Sequence, residues 1–382
     1  MMKAPIKYIA LTVFLLITQA LTAMESPFDF KVKFSDTVKF KDWQLDQNII
    51  DTFEFEGWVH WTENTELYAR LKLDNFSESF GGILFGSTLD QRYGMSNDQL
   101  LDKSYVRTNL LKETGRESAP DLLLLAGYNA GGVLHEEWTA FDFENYRLGG
   151  IQGVVLQGDY QIWQQLYITG AFNPALGSSN LVWTGINDAK SSYPDILTAF
   201  SWRTEAGWAE LYWDSYANSN ASFQGSDLQV LGGASYYELD FPGSVQIRIS
   251  DRLEYGFNRS ASRKDHMRLA MAGGVQLPLL YGLSSNLSFN GFYLDRHEMN
   301  LGMDNELMVT ETLGTFLALG GIRLGDDPDF VYEAGLSGHF NFLSLYIGYS
   351  DHKGGNEGWF SGAFDTTRES EASFFFRLDV EY

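Results

Sequence analysis

The sequence predicts an all-β fold in which antiparallel strands run up and down and close into a barrel across a membrane. Three observations predict it: apolar and polar residues alternate with period two, connections alternate between short and long, and the chain ends on a strand whose hydrophobic stripe finishes in an aromatic residue. Of 382 residues, 44% are hydrophobic, 15% aromatic and only 20% charged, which excludes disorder as the main state. Acids outnumber Lys plus Arg 50 to 27, a net charge of −23 that argues against a nucleic-acid partner. The lack of any Cys excludes a disulfide framework, a thiolate zinc site and lipid attachment through an N-terminal cysteine.

The first element lies outside the fold. Lys3 and Lys7 precede an apolar run from Ile9 to Ile17, and small residues at Ala20 and Ala23 follow. This order reads as a secretory signal peptide, residues 1–23, because the apolar run is short for a helical span of roughly 20 residues. The mature chain, residues 24–382, reads as one β domain; no long apolar helix, heptad run or linker divides it.

Hairpins then follow one another. Phe53, Phe55, Gly57, Val59 and Trp61 share one face, with Glu54, Glu56 and His60 on the other and Trp58 as the exception; after a turn, Leu67, Ala69, Leu71 and Leu73 alternate with Tyr68, Arg70, Lys72 and Asp74. The same grammar returns at Ile196 to Tyr216 and Leu228 to Tyr255. With single-strand candidates before, between and after these hairpins, pattern matching gives about seventeen strands. Short turns at Thr62 to Glu66, Gly158 to Gln164, Thr204 to Gly207 and Asp240 to Ser244 interleave with long connections such as Phe76 to Lys103 and Asn173 to Asp195. This is the asymmetry of a transmembrane barrel, with short turns on one rim and long loops on the other. The alternation fails after Leu277, so one strand is miscounted within Leu287 to Leu324, where Glu298 to Met303 is a further short candidate. Closure needs an even number; sixteen strands are expected from the length, with eighteen as the alternative. Trp43, Trp61, Trp163, Trp183, Trp208, Trp213 and Trp359 fall near expected strand ends, where a girdle of aromatics would sit.

At the C-terminus, Phe374, Phe376, Leu378, Val380 and Tyr382 alternate with Phe375, Arg377, Asp379 and Glu381. Here the chain resembles bacterial outer-membrane β-barrels of the porin type along essentially its whole mature length. The resemblance implies an outer-membrane location among lipid and lipopolysaccharide, and reading of the strand ending in Tyr382 by the barrel-assembly machinery. Likeness to the general porins implies a homotrimer and a loop after the fifth strand that folds inward to narrow the pore. By strand count that loop is Ala130 to Asn145, with His135, Glu136, Glu137, Asp142 and Glu144 facing Arg70, Lys72, Arg107 or Arg147 across a constriction.

If the apolar phase faces lipid, the opposite phase lines the interior with both signs of charge: Glu54, Glu56, His60, Arg70, Lys72, Glu210, Asp214, Arg248, Arg252, Glu254, Glu333 and Arg377 among them. A charged, watery interior predicts passive diffusion of ions and small hydrophilic solutes, with cations preferred because the chain is acidic. The alternatives are a substrate-selective transporter for sugars or organic acids, favoured if Tyr68, Tyr212 and Tyr237 form an aromatic track, and a secreted adhesin or carbohydrate binder. No enzyme is expected. The six histidines form no close metal pair, no nucleophile elbow is present, and the acidic and glycine pairs match no calcium or phosphate loop, so no cofactor or metal is predicted.

Overall fold

The computed structural model describes residues 28–41, 44–45, 50–74, 101–116, 118–128, 154–173, 195–217, 228–258, 264–294, 298–322, 324, 329–351 and 373–382. The strands are β1 (Phe28–Lys41), β2 (Gln44–Leu45), β3 (Ile50–Thr62), β4 (Thr65–Asp74), β5 (Leu101–Asn109), β6 (Leu122–Tyr128), β7 (Val154–Trp163), β8 (Leu166–Asn173), β9 (Asp195–Thr204) and β10 (Gly207–Ala217). They continue with β11 (Leu228–Phe241), β12 (Val245–Asn258), β13 (His266–Leu277), β14 (Gly282–Tyr293), β15 (Glu298–Met308), β16 (Leu313–Ile322), β17 (Asp329–Phe340), β18 (Leu343–Asp351) and β19 (Ser373–Glu381). One short helix, α1 (Leu110–Glu113), joins β5 to β6. Each strand pairs antiparallel with the next, and β1 pairs with β19, so the sheet has no open edge.

β2 folds back antiparallel on the last residues of β1, on the side that β3 occupies, so it adds no stave of its own, and the barrel has eighteen staves and not the sixteen preferred from length. The extra stave is β15, signalled in the sequence by Glu298 to Met303 but blurred because Met299, Met303 and Met308 are weak strand markers. Both described ends of the chain, and the short turns, gather at one rim: Phe28 lies opposite Val59 near the β3–β4 turn, and Val32 exchanges hydrogen bonds with Tyr382. The opposite ends of the staves, Asp74, Tyr128, Asn173, Ala217, Asn258 and Asp351 among them, lie at the other rim.

Register makes the barrel two-faced. On β12, Ile249, Leu253 and Phe257 are exposed while Ser250, Arg252, Glu254 and Gly256 are buried, and the same phase carries Leu156, Ile168, Phe200, Leu211, Leu231, Met271, Leu317, Ile347 and Phe374 to the outside. Phe374 and Phe376 of the terminal stripe are exposed outside, as expected, and Phe375 points in. Trp61, Trp163 and Trp202 stand exposed near the short turns, the expected position of an aromatic girdle; Trp213 is exposed on the outer face. Trp208 does not join them. It follows the inner phase of β10 and is 6% exposed, because the turn Glu205-Ala206 puts the odd positions of β10 outside. Trp43, Trp183 and Trp359 lie outside the described residues.

Two inward glycines show how aromatic bulk fits an inner wall. Gly335 and Gly348 are directly opposed on β17 and β18, and an added Cβ on either would lie 2.6–2.7 Å from the Phe316 ring. The rings of Phe316 and Phe375 therefore lie over bare backbone, with centroids 6.0 Å apart. At the β11–β12 turn, Gly243 takes φ 86°, a left-handed conformation that glycine adopts without a Cβ clash.

Candidate functional site, the barrel interior

Paired charges ring the interior near the short-turn rim. Lys31 Nζ meets Glu381 across the β1–β19 seam at 2.5 Å, and His60 Nε2 lies 3.0 Å from Asp29. Arg107 reaches Glu66 at 3.3 Å, Lys112 reaches Asp121 at 2.6 Å, and Arg203 reaches Asp159 at 3.2 Å. The belt continues with Arg248 and Glu238 at 3.6 Å, His339 and Glu306 at 2.7 Å, and Arg377 and Asp379 at 2.8 Å. Strand pairing sets half of this ring side by side on neighbouring staves, Lys31 with Glu381, Asp29 with His60, Glu66 with Arg107 and Glu238 with Arg248, while Arg203 and His339 reach across one stave to Asp159 and Glu306. Such pairs contribute little stability where water reaches them. Their effect is a polar, charge-balanced mouth.

At the β5–β6 corner the belt is tied to the fold. Asn109 caps α1 and donates to Asp121 at 2.7 Å, and Tyr167 donates to the other carboxylate oxygen at 3.1 Å. Burial opposes the Asp121 charge, but hydrogen bonds from Lys112, Asn109 and Tyr167 outweigh it and hold this carboxyl below the usual range. Arg203 stacks on the Tyr167 ring, 4.3 Å from its centroid, linking Asp121 to Asp159. Beside this corner is a polar cavity of about 220 Å³ lined by His60, Glu66, Arg107, Asn109 and Lys112.

Away from the short turns, the two sides of the interior differ. On β10 to β13 and β17, Tyr212, Arg252, Glu254, Arg268 and Glu333 are at most 2% exposed. Tyr212 donates to Glu254 at 2.5 Å, and Arg268 lies 3.6 Å from the same carboxylate. Beside them, Val155, Leu197, Ala199, Trp208, Val230 and Ala234 form a buried apolar cluster on the inner wall of β7 to β11. Periodicity could not assign this cluster, since in these staves both phases are apolar and only burial tells them apart. On β1 and β3 to β5 the half-exposed Arg107 and His60 belong to the belt at the short-turn rim, and Glu54, Glu56 and Arg70 behind them are partly buried rather than fully buried as on β10 to β13.

Of the residues singled out from sequence, Arg70, Arg107, Arg248, Arg252 and Arg377 all take the inner phase. Arg248 and Arg377 belong to the belt, while Arg252 is fully buried. Lys72 pairs with Glu54 in register, which places it on the same phase as Arg70. His135, Glu136, Glu137, Asp142, Glu144 and Arg147 lie outside the described residues; their segment follows the fifth stave, β6. The aromatic track does not form from the expected tyrosines. Tyr237 is on the outer phase, Tyr212 is buried, and Tyr68 is packed between Trp58 at 5.2 Å and Tyr105 at 4.9 Å. The hydroxyls of Tyr68 and Tyr105 already donate to Glu56 and Glu66.

Sequence spacing also missed a three-residue bridge. His339 contacts Ser344 through Nδ1 at 2.9 Å and Glu306 through Nε2 at 2.7 Å. These residues are 38 positions apart at the extremes and meet only because β15 and β17 are separated by a single stave. An imidazole between a hydroxyl and a carboxylate can orient a serine, although the serine here faces Nδ1 and sits within a regular strand. Among the described residues, no group of His, Asp and Glu is arranged to hold a metal ion.

No family model and no curated protein matches the sequence. Among solved structures, OprD from Pseudomonas aeruginosa aligns over 93% of this chain and 94% of its own at 10% identity, with a TM-score of 0.48. OccAB3 from Acinetobacter baumannii aligns over 93% and 99% at 9% identity and TM-score 0.48. OmpT, an outer membrane protein of Vibrio cholerae, aligns over 93% and 97% at 7% identity and TM-score 0.44.

Proposed function

We propose that the protein is a bacterial outer-membrane porin, a water-filled barrel through which ions and small hydrophilic solutes diffuse without chemical turnover. The observation that carries this reading is the segregation of the closed barrel's two faces. The outside exposes aliphatic and aromatic side chains stave after stave, whereas the inside holds a belt of both charge signs. A soluble adhesin would have to leave that apolar outer surface in water, which disfavours the secreted-binder alternative. The water-filled path runs along β1 and β3 to β5, where the inner charged side chains are only partly buried, and the fully buried Arg252, Glu254 and Arg268 side buttresses it.

Entry into the membrane follows export by the signal peptide and handling of the C-terminal strand by the barrel-assembly machinery. Cation preference is proposed from the excess of acids over the whole chain, since the belt itself is balanced. The His339 bridge is read as a structural clamp and the protein as a non-enzyme. A sugar-selective pore is less well supported, because Tyr68 and Tyr212 have no open ring face for stacking.

The test is planar-bilayer conductance of the detergent-purified mature protein, with a salt gradient to obtain ion selectivity. Ohmic steps with a reversal potential of cationic sign support the reading. A heat-modifiable, folded barrel that gives no steps sinks the open-pore claim and moves weight to a selective or plugged barrel.

A further inference from the structure

Two members of the belt differ from the rest. Among the described pairs at the short-turn rim, eight carboxylates face six permanent cations and two histidines, His60 and His339. The belt is therefore balanced only while both imidazoles carry a proton; with both neutral it holds two more negative charges than positive ones. An imidazole ordinarily titrates at about pH 6.5, whereas Asp and Glu do so at about 4 and Lys and Arg above about 10. In the range around neutrality the histidines are the members poised to change charge.

The His339 site accommodates either charge state. Glu306 lies 2.7 Å from its Nε2, and the Ser344 hydroxyl 2.9 Å from its Nδ1. In the neutral ring Nε2 can donate to the carboxylate while Nδ1 accepts from the serine; in the charged ring Nδ1 donates and the hydroxyl turns to accept. Rotation of one hydroxyl is the whole adjustment. Also facing this ring are Tyr346 on β18, edge-on with centroids 5.7 Å apart, and the Arg377–Asp379 pair on β19. The intervening stave β16 carries Gly314 and Phe316 on its inner phase, and Asp304, which accepts from the Asn286 amide at 2.7 Å, is the next inner residue of β15.

On β3, His60 Nε2 meets Asp29 at 3.0 Å, and half of the side chain is open to solvent. Glu66 stands directly across from it on β4, with Arg107 beyond on β5. Lys31 is the next inner residue after Asp29 on β1, and Glu63 lies in the adjoining turn. Both rings sit near the strand ends of the short-turn rim, where every ion using the lumen has to cross the belt. The third described histidine, His266, opens β13 at the far rim and stands outside the belt.

We infer that His60 and His339 determine the ion selectivity of the pore: its short-turn mouth prefers cations while both rings are neutral and loses that preference as they take up protons. The inference rests on the open-pore reading above. Protonation changes the charge of the mouth and leaves its hydrogen-bonded partners in place, so selectivity shifts while the pore stays open. Two unit charges about 10 Å from a permeating ion, in 0.1 M salt, lower the cation-to-anion permeability ratio about 2- to 3-fold, and one lowers it about 1.7-fold.

The test is the reversal potential across a tenfold salt gradient, measured with the mature protein at about pH 8 and about pH 5.5. The wild-type ratio should fall about 2- to 3-fold on acidification, with ohmic steps retained. His60→Gln with His339→Gln should hold the alkaline ratio at both pH values. His60→Gln alone should leave a fall of about 1.7-fold, and His60→Arg, charged throughout, should start about 1.7-fold below wild type at the alkaline pH. These two single variants decide the matter even if the His339 variant fails to fold. Asp304→Asn should keep the wild-type fall. A wild-type ratio indifferent to pH overturns the inference, as does an equal fall in the double histidine variant or loss of the fall in Asp304→Asn, either of which would give the titration to a carboxylate. Ohmic steps with pH-independent selectivity remove the histidine assignment but leave the pore; a folded barrel without steps removes both.

Discussion

Reversing one charge separates the two sides of the interior. Arg107 is half exposed in the belt, whereas Arg252 is fully buried on the facing phase of β12. A unit charge about 10 Å from a permeating ion contributes about 0.4 kcal/mol in water, so Arg107→Glu, a change of two charges, shifts the ion's energy by about 0.8 kcal/mol before screening. At 0.1 M salt the Debye length is about the same 10 Å, which leaves about 0.3 kcal/mol. Cations are then enriched and anions depleted by about 1.7-fold each, and the cation-to-anion permeability ratio rises about 2- to 3-fold. Reversal potentials across a tenfold salt gradient measure this ratio, and the effect should fade at 1 M salt. Arg252→Met should leave selectivity unchanged and instead destabilise the barrel by about 3–5 kcal/mol, since it removes one charge from a buried polar cluster. An unchanged ratio in Arg107→Glu together with a shift in Arg252→Met would place the water path on the β10–β13 side and refute the assignment.

Three further outcomes follow from the geometry. Gly348→Ala forces its Cβ to 2.7 Å from Phe316 and Ala334 O, so it should cost about 1–3 kcal/mol in urea unfolding of the detergent-solubilised barrel; Phe316→Leu in the same background should recover part of that loss. Because its hydrogen bonds hold Asp121 below the ordinary carboxylate range, its tie between α1 and β8 is complete above about pH 4 and is lost as pH falls through the lowered pKa. Proteolysis at the β5–β6 corner should therefore rise only in that acid range for wild type, and at all pH values for Asp121→Ala. Ser344→Ala should leave single-channel conductance unchanged, and wild type should show no Ser344-dependent hydrolysis of short-chain nitrophenyl esters; hydrolysis lost in the variant would make the His339 bridge catalytic.

The fold was legible wherever the two phases differ chemically. Phe53 to Trp61 against Glu54 to His60, and Phe374 to Tyr382 against Arg377 to Glu381, fix both strand and facing through alternation alone. Legibility fails where both phases have the same character. In β7 to β11, Val155, Leu197 and Val230 point inward although they are as apolar as their outward neighbours, and Trp208 looked like a girdle residue for the same reason. In β15 the inward Asp304 and Glu306 are separated by the outward polar Asn305, so the period is interrupted and the stave was only half recognised. The belt could not be read at all, since Glu306 meets His339 across a stave and Glu66 meets Arg107 across a long connection; pairing needs register, which is set by the barrel as a whole.

Exceptions to the alternating pattern are informative because membrane burial penalises them. An inward apolar residue costs little, since it can pack against other interior side chains, so Trp208 and Leu197 need no functional explanation. An outward carboxylate has no such refuge. At mid-span its desolvation amounts to roughly 2–3 kcal/mol on insertion scales, more than one serine hydroxyl returns. Asp251 is therefore a different kind of exception from Trp208, although both break the same rule. Substituting Asp251→Leu should raise the unfolding midpoint of the barrel in detergent, since it removes an outward carboxylate held by one hydroxyl. A fall in the midpoint would show instead that Asp251 supports its own barrel through Ser235.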